Sequence, residues 1–340
     1  MRFALFAIAA FAFPHSVSAQ EAEPAPVTPT SVVAAAQDSE WLPIAPDDLL
    51  VMDLAPDDRG NDRRVVIQLI PPPFSQPWVE KIRTLARAHW WDGTSVNRVQ
   101  DNYVTQWGDV TEEKPLPVGL HTISGECFDI DGALEAPCAA SDVMESYAFL
   151  MQLVVNEMDI ENGQSDRQAG SWTRRDSYAT AVQFAFGWPI AADRDPGTER
   201  SYWPIHCYGY VGVGRNYAPD TGTGAELYTI IGQPQRHMDR NLAVVGRIID
   251  GMEHLSSLPR GSGELGFYTE EEAHLRTPIL SVRLATDMEN APTYEYLSTE
   301  SQSFAAYVAV RANRDDAFYT VPAGGVDVCN VEVPIRRVGG

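Results

Sequence analysis

Residues 64–109 read RVVIQLIPPPFSQPWVEKIRTLARAHWWDGTSVNRVQDNYVTQWGD, and the fold turns on how this stretch divides. It opens on an apolar, β-branched run from Val65 to Ile70, closed by three prolines, which is a strand signal. The period then changes. Ser75 stands where a helix cap belongs, Pro77 falls in the first turn, and Val79, Ile82, Leu85 and Ala86 share one face, so an amphipathic helix ending near Gly93 is predicted. SVNRVQDNYVTQWGD (95–109) returns to β-formers, with Val96, Arg98 and Gln100 expected on one side and Asn97 and Val99 on the other. This last piece carries an arginine, a tyrosine and a glutamine but no metal-ligand spacing, no cysteine and no serine–histidine–carboxylate set.

Working outward, LLVMDL (49–54) and RRVVIQLI (63–70) flank the acidic glycine turn APDDRGND and read as a hairpin-like pair. Further strand signals lie in WPIHCYGYVGVGR (203–215), AELYTIIG (225–232), NLAVVGRII (241–249) and TPILSVRLA (277–285). Asp250 and Glu253 have capping-box spacing for a second short helix through Leu258, stopped by Pro259. Many strands with two isolated helices predict a mainly β protein, a closed barrel plugged at its ends. Between about 110 and 202 the chain is irregular, and SDVMESYAFLMQLVVNEM (141–158) fits a helix or strands. The glycines of GVG (212–214) and GSG (261–263) read as loop positions, because neither follows a strand and opens a helix as phosphate motifs do.

The chain has 340 residues, 44% of them hydrophobic, enough to bury a full core. Arg2, the apolar run Phe3 to Phe13 and the small residues Val17 and Ala19 read as a signal peptide over 1–19, too short to span a bilayer, so export to the periplasm or medium is expected. No later stretch reaches transmembrane length. A flexible Pro/Ala/acidic leader is expected over 20–40, a principal domain over 41–290 with its insertion at about 110–202, and an extension packed on that domain over 291–340. In an oxidising compartment Cys127, Cys138, Cys207 and Cys329 are disulfide candidates; four cysteines allow three pairings, of which Cys127 with Cys138 is the local and expected one. A formal charge of −22 disfavours nucleic acid as a partner. His121, His206 and His274 lack paired spacing, so neither a metal site nor a cofactor is expected. His237 has Asp239 close by, yet a single histidine in a polar loop is more often structural.

The order of these motifs, the 64–109 run with GAELYTIIG and HMDRNLAVVGRIIDGME downstream, resembles the cyclophilin-type peptidyl-prolyl cis/trans isomerases. The resemblance covers about 45–109 and 203–285 and implies an eight-stranded antiparallel barrel capped by two helices, with a groove for proline-containing peptides on its outer face. It places the family's catalytic arginine on Arg98, its aromatic pocket floor on Tyr103, the neighbouring apolar wall on Val104 and its substrate-holding glutamine on Gln106. If GAELY matches the family's Gly-Ser-Gln-Phe-Phe run, Tyr228 is the second pocket aromatic, and Met238 takes a pocket-wall leucine position. Gly214, Arg215 and Asn216 fall roughly on the strand whose backbone pairs with the peptide. His237 and Leu242 stand on the rim where many members have tryptophan and histidine, and Trp107 interrupts the family's Gln-Gly-Gly-Asp run, adding bulk expected beside the groove.

A strand arginine standing alone is usually a solvated surface residue, and Tyr103, Tyr228 and Met238 alone would read as core; the ordered motifs are what single them out. Two classes of function stay open at this level. One is an exported proline isomerase assisting the folding of other proteins, with a mechanism that moves no proton and therefore turnover insensitive to neutral pH unless His237 intervenes. The other is a non-catalytic binding module or chaperone that uses the insertion for recognition.

Overall fold

The computed structural model describes residues 27–120, 123–128, 130–131, 176–193, 201–314 and 318–339. Eight strands form one antiparallel sheet: β1 (Leu49–Leu54), β2 (Arg63–Leu69), β3 (Ser95–Val99), β4 (Val104–Gly108), β5 (Tyr210–Val213), β6 (Leu227–Ile230), β7 (Val244–Asp250) and β8 (Ile279–Leu284). Their spatial order is β8-β1-β2-β7-β5-β6-β4-β3. The two outer strands meet through a Ser95–Pro278 bridge and the bonds Val96 N–H to Thr277 O at 2.9 Å and Ile279 N–H to Thr94 O at 2.8 Å, so the sheet rolls into a nearly closed barrel.

The strands carry nearly continuous apolar runs because both faces of β1 and β2 are covered. Leu50, Met52, Leu54, Val65, Ile67 and Leu69 face the barrel interior, while Leu49, Val51 and Val66 pack outside against Ile44, Ala285 and Tyr294. Helix α1 (Gln76–Arg87) buries Trp78, Val79, Ile82, Leu85 and Ala86 in that interior, as its periodicity requires. Pro77 does lie in its first turn, but Ser75 makes no side-chain cap and instead turns the chain in the left-handed region at φ 53°. Helix α2 is only Glu253–Ser256, seating Leu255 in the core; the expected capping box is absent, because the N-cap residue is Met252 and Asp250 ends β7, where its carboxylate accepts from the Tyr294 hydroxyl at 2.6 Å.

Two smaller sheets are added to the barrel. One pairs Trp41–Pro43, Thr293–Leu297 and Ile335–Val338. The other orders Ile130–Asp131, Ser201–Pro204, Trp188–Asp193 and Ala181–Ala185, so the single run expected at 203–215 is split between this sheet and β5. Arg247 of β7 ties this sheet to the barrel: Nε and one terminal nitrogen donate to Gln68 Oε1 at 2.9 and 2.7 Å, the other terminal nitrogen donates to Gly187 O at 2.7 Å, and the guanidinium lies 4.5 Å from the Trp188 ring centroid. The part of the leader that the structure describes is ordered, with a helix over Pro29–Ala34 that begins at a Thr28 capping box. The possible helix at 141–158 and residues 1–26 lie outside the described residues.

Cys207 is bonded to Cys329, 122 residues away in sequence. Cys127 is likewise disulfide-bonded, and its expected partner Cys138 lies outside the described residues. No helix among the described residues is long and apolar enough to cross a membrane.

Candidate functional site

The expected single strand over 95–109 is a hairpin. Residues 100–103 make its turn, with Asn102 in the left-handed region at φ 51°. Simple alternation fails inside β3, because the register steps from Val96 opposite Trp107 to Arg98 opposite Gln106 and leaves Asn97 as an extra residue. This bulge lets Val96 and Val99 both enter the core while Arg98 faces outward. Trp107 follows Gln106 by one residue and so points the other way; it is 1% exposed in the barrel core, not bulk beside the groove.

Arg98 is clamped. Its Nε donates to Leu265 O at 2.7 Å, and its two terminal nitrogens donate to Gln106 Oε1 at 3.2 Å and Gln100 Oε1 at 2.6 Å. The guanidinium carbon lies 5.4 Å from the Tyr103 ring centroid and 5.2 Å from that of Phe267, a double cation–π contact. Burial lowers its proton affinity and Tyr103 opposes that. A guanidinium has five N–H groups, so these bonds leave donors available for a ligand.

Beside it lies an apolar cluster outside the main core: Val104, Tyr228, Ile230 and Met238, with Tyr103 and Leu242 packed against them. The Tyr103 hydroxyl reaches Met238 Sδ at 3.1 Å, and His237 stacks on the Tyr103 ring at 6.3 Å between centroids. The structure thus gathers Arg98, Tyr103, Val104, Gln106, Tyr228, His237, Met238 and Leu242 into one region. Gly214, Arg215 and Asn216 lie at the edge of the barrel beside this region. They follow the end of β5 at Val213: Gly214 N–H still pairs across to Glu226 O at 2.8 Å, whereas Arg215 donates to Asn216 O at 2.7 Å and Asn241 O at 3.0 Å, and Asn216 N–H to Asp220 Oδ2 at 2.8 Å.

Several groups around the site have weak or no signal in the sequence. Leu265 and Phe267 come from a loop distant in the chain. Gly212 lies within β5, not in a loop, directly opposite Tyr228; a Cβ placed there would fall 2.3 Å from the tyrosine ring and hydroxyl. Behind the apolar cluster, His206 Nε2 is 3.0 Å from the Tyr228 hydroxyl and Nδ1 is 2.9 Å from Asp239, whose other oxygen accepts from Arg236 Nε at 2.6 Å. Asp239 therefore serves His206 and Arg236 rather than His237. Burial pushes the Tyr228 hydroxyl well above its ordinary pKa, so it stays protonated.

Glu226 is the remaining one. It accepts from Asp109 N–H at 2.7 Å, and burial raises its pKa to about 7 against hydrogen bonds from Asn97, Asp109 and Gln106 that lower it. Its clue was the departure in GAELY, where glutamate stands in place of the glutamine of the family run. Among the described residues no three His, Cys, Asp or Glu side chains assemble to hold a metal ion.

Comparison with known proteins bears on the family and the fold. The family described as cyclophilin type peptidyl-prolyl cis-trans isomerase/CLD matches residues 64–283, more than half of the chain. The crystal structure of cyclophilin AquaCyp293 from Hirschia baltica superposes with a TM-score of 0.60 at 20% identity over 92% of this chain and 97% of its own, a likeness of fold. That of a cyclophilin type peptidyl-prolyl cis-trans isomerase from Cryptosporidium parvum, in the presence of dipeptide Ala-Pro, gives 0.34 at 9% identity over 69% and 98%. A search of curated proteins finds no match. With the barrel, the ordered motifs and the family match in agreement, this chain belongs to the cyclophilin-type peptidyl-prolyl cis-trans isomerases.

Proposed function

We propose that this isomerase is exported and speeds the folding of other exported proteins by turning their Xaa-Pro bonds, with Arg98 as its catalytic group. The observation that carries the reading is the clamped Arg98 guanidinium with donors to spare, set beside the Tyr103, Val104, Tyr228 and Met238 cluster. Amide resonance sets a barrier of about 18–20 kcal/mol to rotation, while the isomers before proline differ by only about 0.5–1 kcal/mol. The obstacle is kinetic, so a catalyst has only to favour the twisted form. In that form the proline nitrogen pyramidalises and regains a lone pair, and an Arg98 N–H donates to it. The apolar cluster holds the ring while the preceding carbonyl swings, and Gln106 holds the peptide backbone. This is selective binding of the transition state by a preorganised donor, with no proton transferred.

Export is supported by the apolar run Phe3 to Phe13 behind Arg2 and by the Cys207–Cys329 disulfide, which suits an oxidising compartment. The test is exchange spectroscopy on a short Xaa-Pro peptide. Arg98→Ala is expected to lower the rate on the order of a hundredfold, as loss of one preorganised donor does, with the barrel retained by circular dichroism and the unfolding temperature lowered by the lost bonds to Leu265, Gln106 and Gln100. Arg98→Lys keeps the charge but not the planar fork and is expected to recover only part of it. An Arg98→Ala protein as fast as wild type would move the site elsewhere. If wild type itself leaves the peptide's isomerisation rate unchanged, the non-catalytic binding-module reading takes its place.

A further inference from the structure

A chain of three side chains runs from a part-buried carboxylate to the guanidinium. Glu226 accepts from Asp109 N–H at 2.7 Å, lies 3.5 Å from Asn97 Nδ2 and sits diagonally across the β4–β6 ladder from Gln106 on the same face, where the Gln106 side chain favours its ionised form. Gln106 Oε1 accepts from Arg98 at 3.2 Å, so the Gln106 group left to meet Glu226 is the amide nitrogen. Room for this carboxylate is built in at Gly108, where a Cβ would fall 1.8 Å from Glu226 Oε1.

We propose that Glu226 is a positioning residue for the isomerase: by accepting from the Gln106 amide nitrogen it turns the amide oxygen toward Arg98 and so sets the catalytic donor. A carboxylate can only accept, so the ionised form enforces one orientation of Gln106. A protonated Glu226 can also donate to the amide oxygen, and a turned Gln106 then sets its N–H groups against the guanidinium, donor against donor. Turnover accordingly depends on whether Glu226 carries a proton, although the chemical step moves none. The inference rests on Arg98 being the catalytic group.

The charged surroundings of Glu226 are few. Glu112 opposes its ionisation. The Asp109 carboxylate is held by Thr111 at 2.7 Å and by the Glu113 and Lys114 N–H at 2.9 and 2.7 Å. Arg98 lies beyond Gln106, and on the β5 side Glu226 packs against Gly214.

The experiment measures kcat/KM on an Xaa-Pro peptide from about pH 6 to pH 8 for wild type, Glu226→Gln, His237→Asn and Arg98→Ala. Wild type is expected to rise about tenfold over that range, the change in ionised fraction of a group titrating near 7. Glu226→Gln keeps an acceptor of the same shape and is expected to be flat within about twofold, at a level between the wild-type limits. His237→Asn is expected to keep the rise. A flat wild-type profile, or a rise that survives in Glu226→Gln, overturns the proposal, and loss of the rise in His237→Asn would transfer the role to the rim. Arg98→Ala separates the two readings: activity retained there refutes the placement of the catalytic group, whereas an inactive Arg98→Ala beside a pH-dependent Glu226→Gln refutes only the role of Glu226.

Discussion

At Glu226 desolvation outweighs three favourable hydrogen bonds and lifts the carboxyl to about 7 from an ordinary 4.5. The sign of the linkage follows. The folded state binds the proton more tightly than the unfolded chain, so the contribution to stability is fully present below the ordinary carboxylate value and is lost as pH rises through 7. For one largely buried site it is on the order of 2 to 3 kcal/mol. Urea unfolding at about pH 5 and pH 8 is expected to show wild type losing stability toward the higher pH and Glu226→Gln losing less. Equal slopes in the two proteins would show that the carboxyl is better solvated than its surroundings indicate. The same ionisation that favours Arg98 positioning thus costs stability, a trade-off common at functional sites. His206 presents a different case. Its partners Tyr228 and Asp239 take up both ring nitrogens, so this buried histidine anchors the second pocket aromatic.

The hairpin of β3 and β4 is the element on which the site depends. In a regular strand, with Asn97 paired in turn instead of bulged, Val96 and Arg98 would share one face, and no register could then bury one and expose the other. The β5–β6 pair poses a matching demand, since the Tyr228 ring lies against Gly212 across the ladder. Gly212→Ala brings a methyl carbon to 2.3 Å from that ring, in a strand fixed on both sides by β6 and β7, so the tyrosine must yield toward the groove. Isomerase activity and unfolding temperature are both expected to fall. Wild-type values for both would show that the strand accommodates the methyl by shifting.

For the whole molecule, the outer layers are as much a part of the core as the barrel. Phe304, Tyr307 and Val308 of the Gln302–Ala312 helix enter the same apolar cluster as the barrel strands, and Tyr294 covers the outside of β1 and β2. The Cys207–Cys329 bond closes a long loop between the start of β5 and this C-terminal region. By the chain-entropy relation a loop of this length is worth about 4 to 5 kcal/mol. Cys329→Ser is therefore expected to lower the unfolding midpoint by several degrees or more and to leave a thiol at Cys207. Peptide mapping without reductant is expected to recover Cys207 and Cys329 in one linked fragment. An unchanged midpoint together with Cys207 linked elsewhere would refute the pairing.

Strand positions such as 49–54, 63–69, 227–230 and 279–284, and helix α1, were legible in the sequence because apolar periodicity is a property of neighbours a few residues apart. The Arg98, Tyr103, Gln106 and Tyr228 set was legible for a related reason: it sits in short runs whose order along the chain resembles a family. What those runs do not contain is the partner strand. The Asn97 bulge depends on what lies opposite it, and Trp107 turns inward because the register is set across the hairpin. The split of 203–215 between two sheets, the Phe267 wall of Arg98 and the Cys207–Cys329 bond likewise join segments far apart in the chain. Glu226 reads as an ordinary acidic residue until Asn97, Gln106 and Asp109 close around it and strip away part of its water. Local pattern determines which segments are strands and helices, while burial, register and proton affinity are set by contacts between distant segments and belong to the tertiary structure alone.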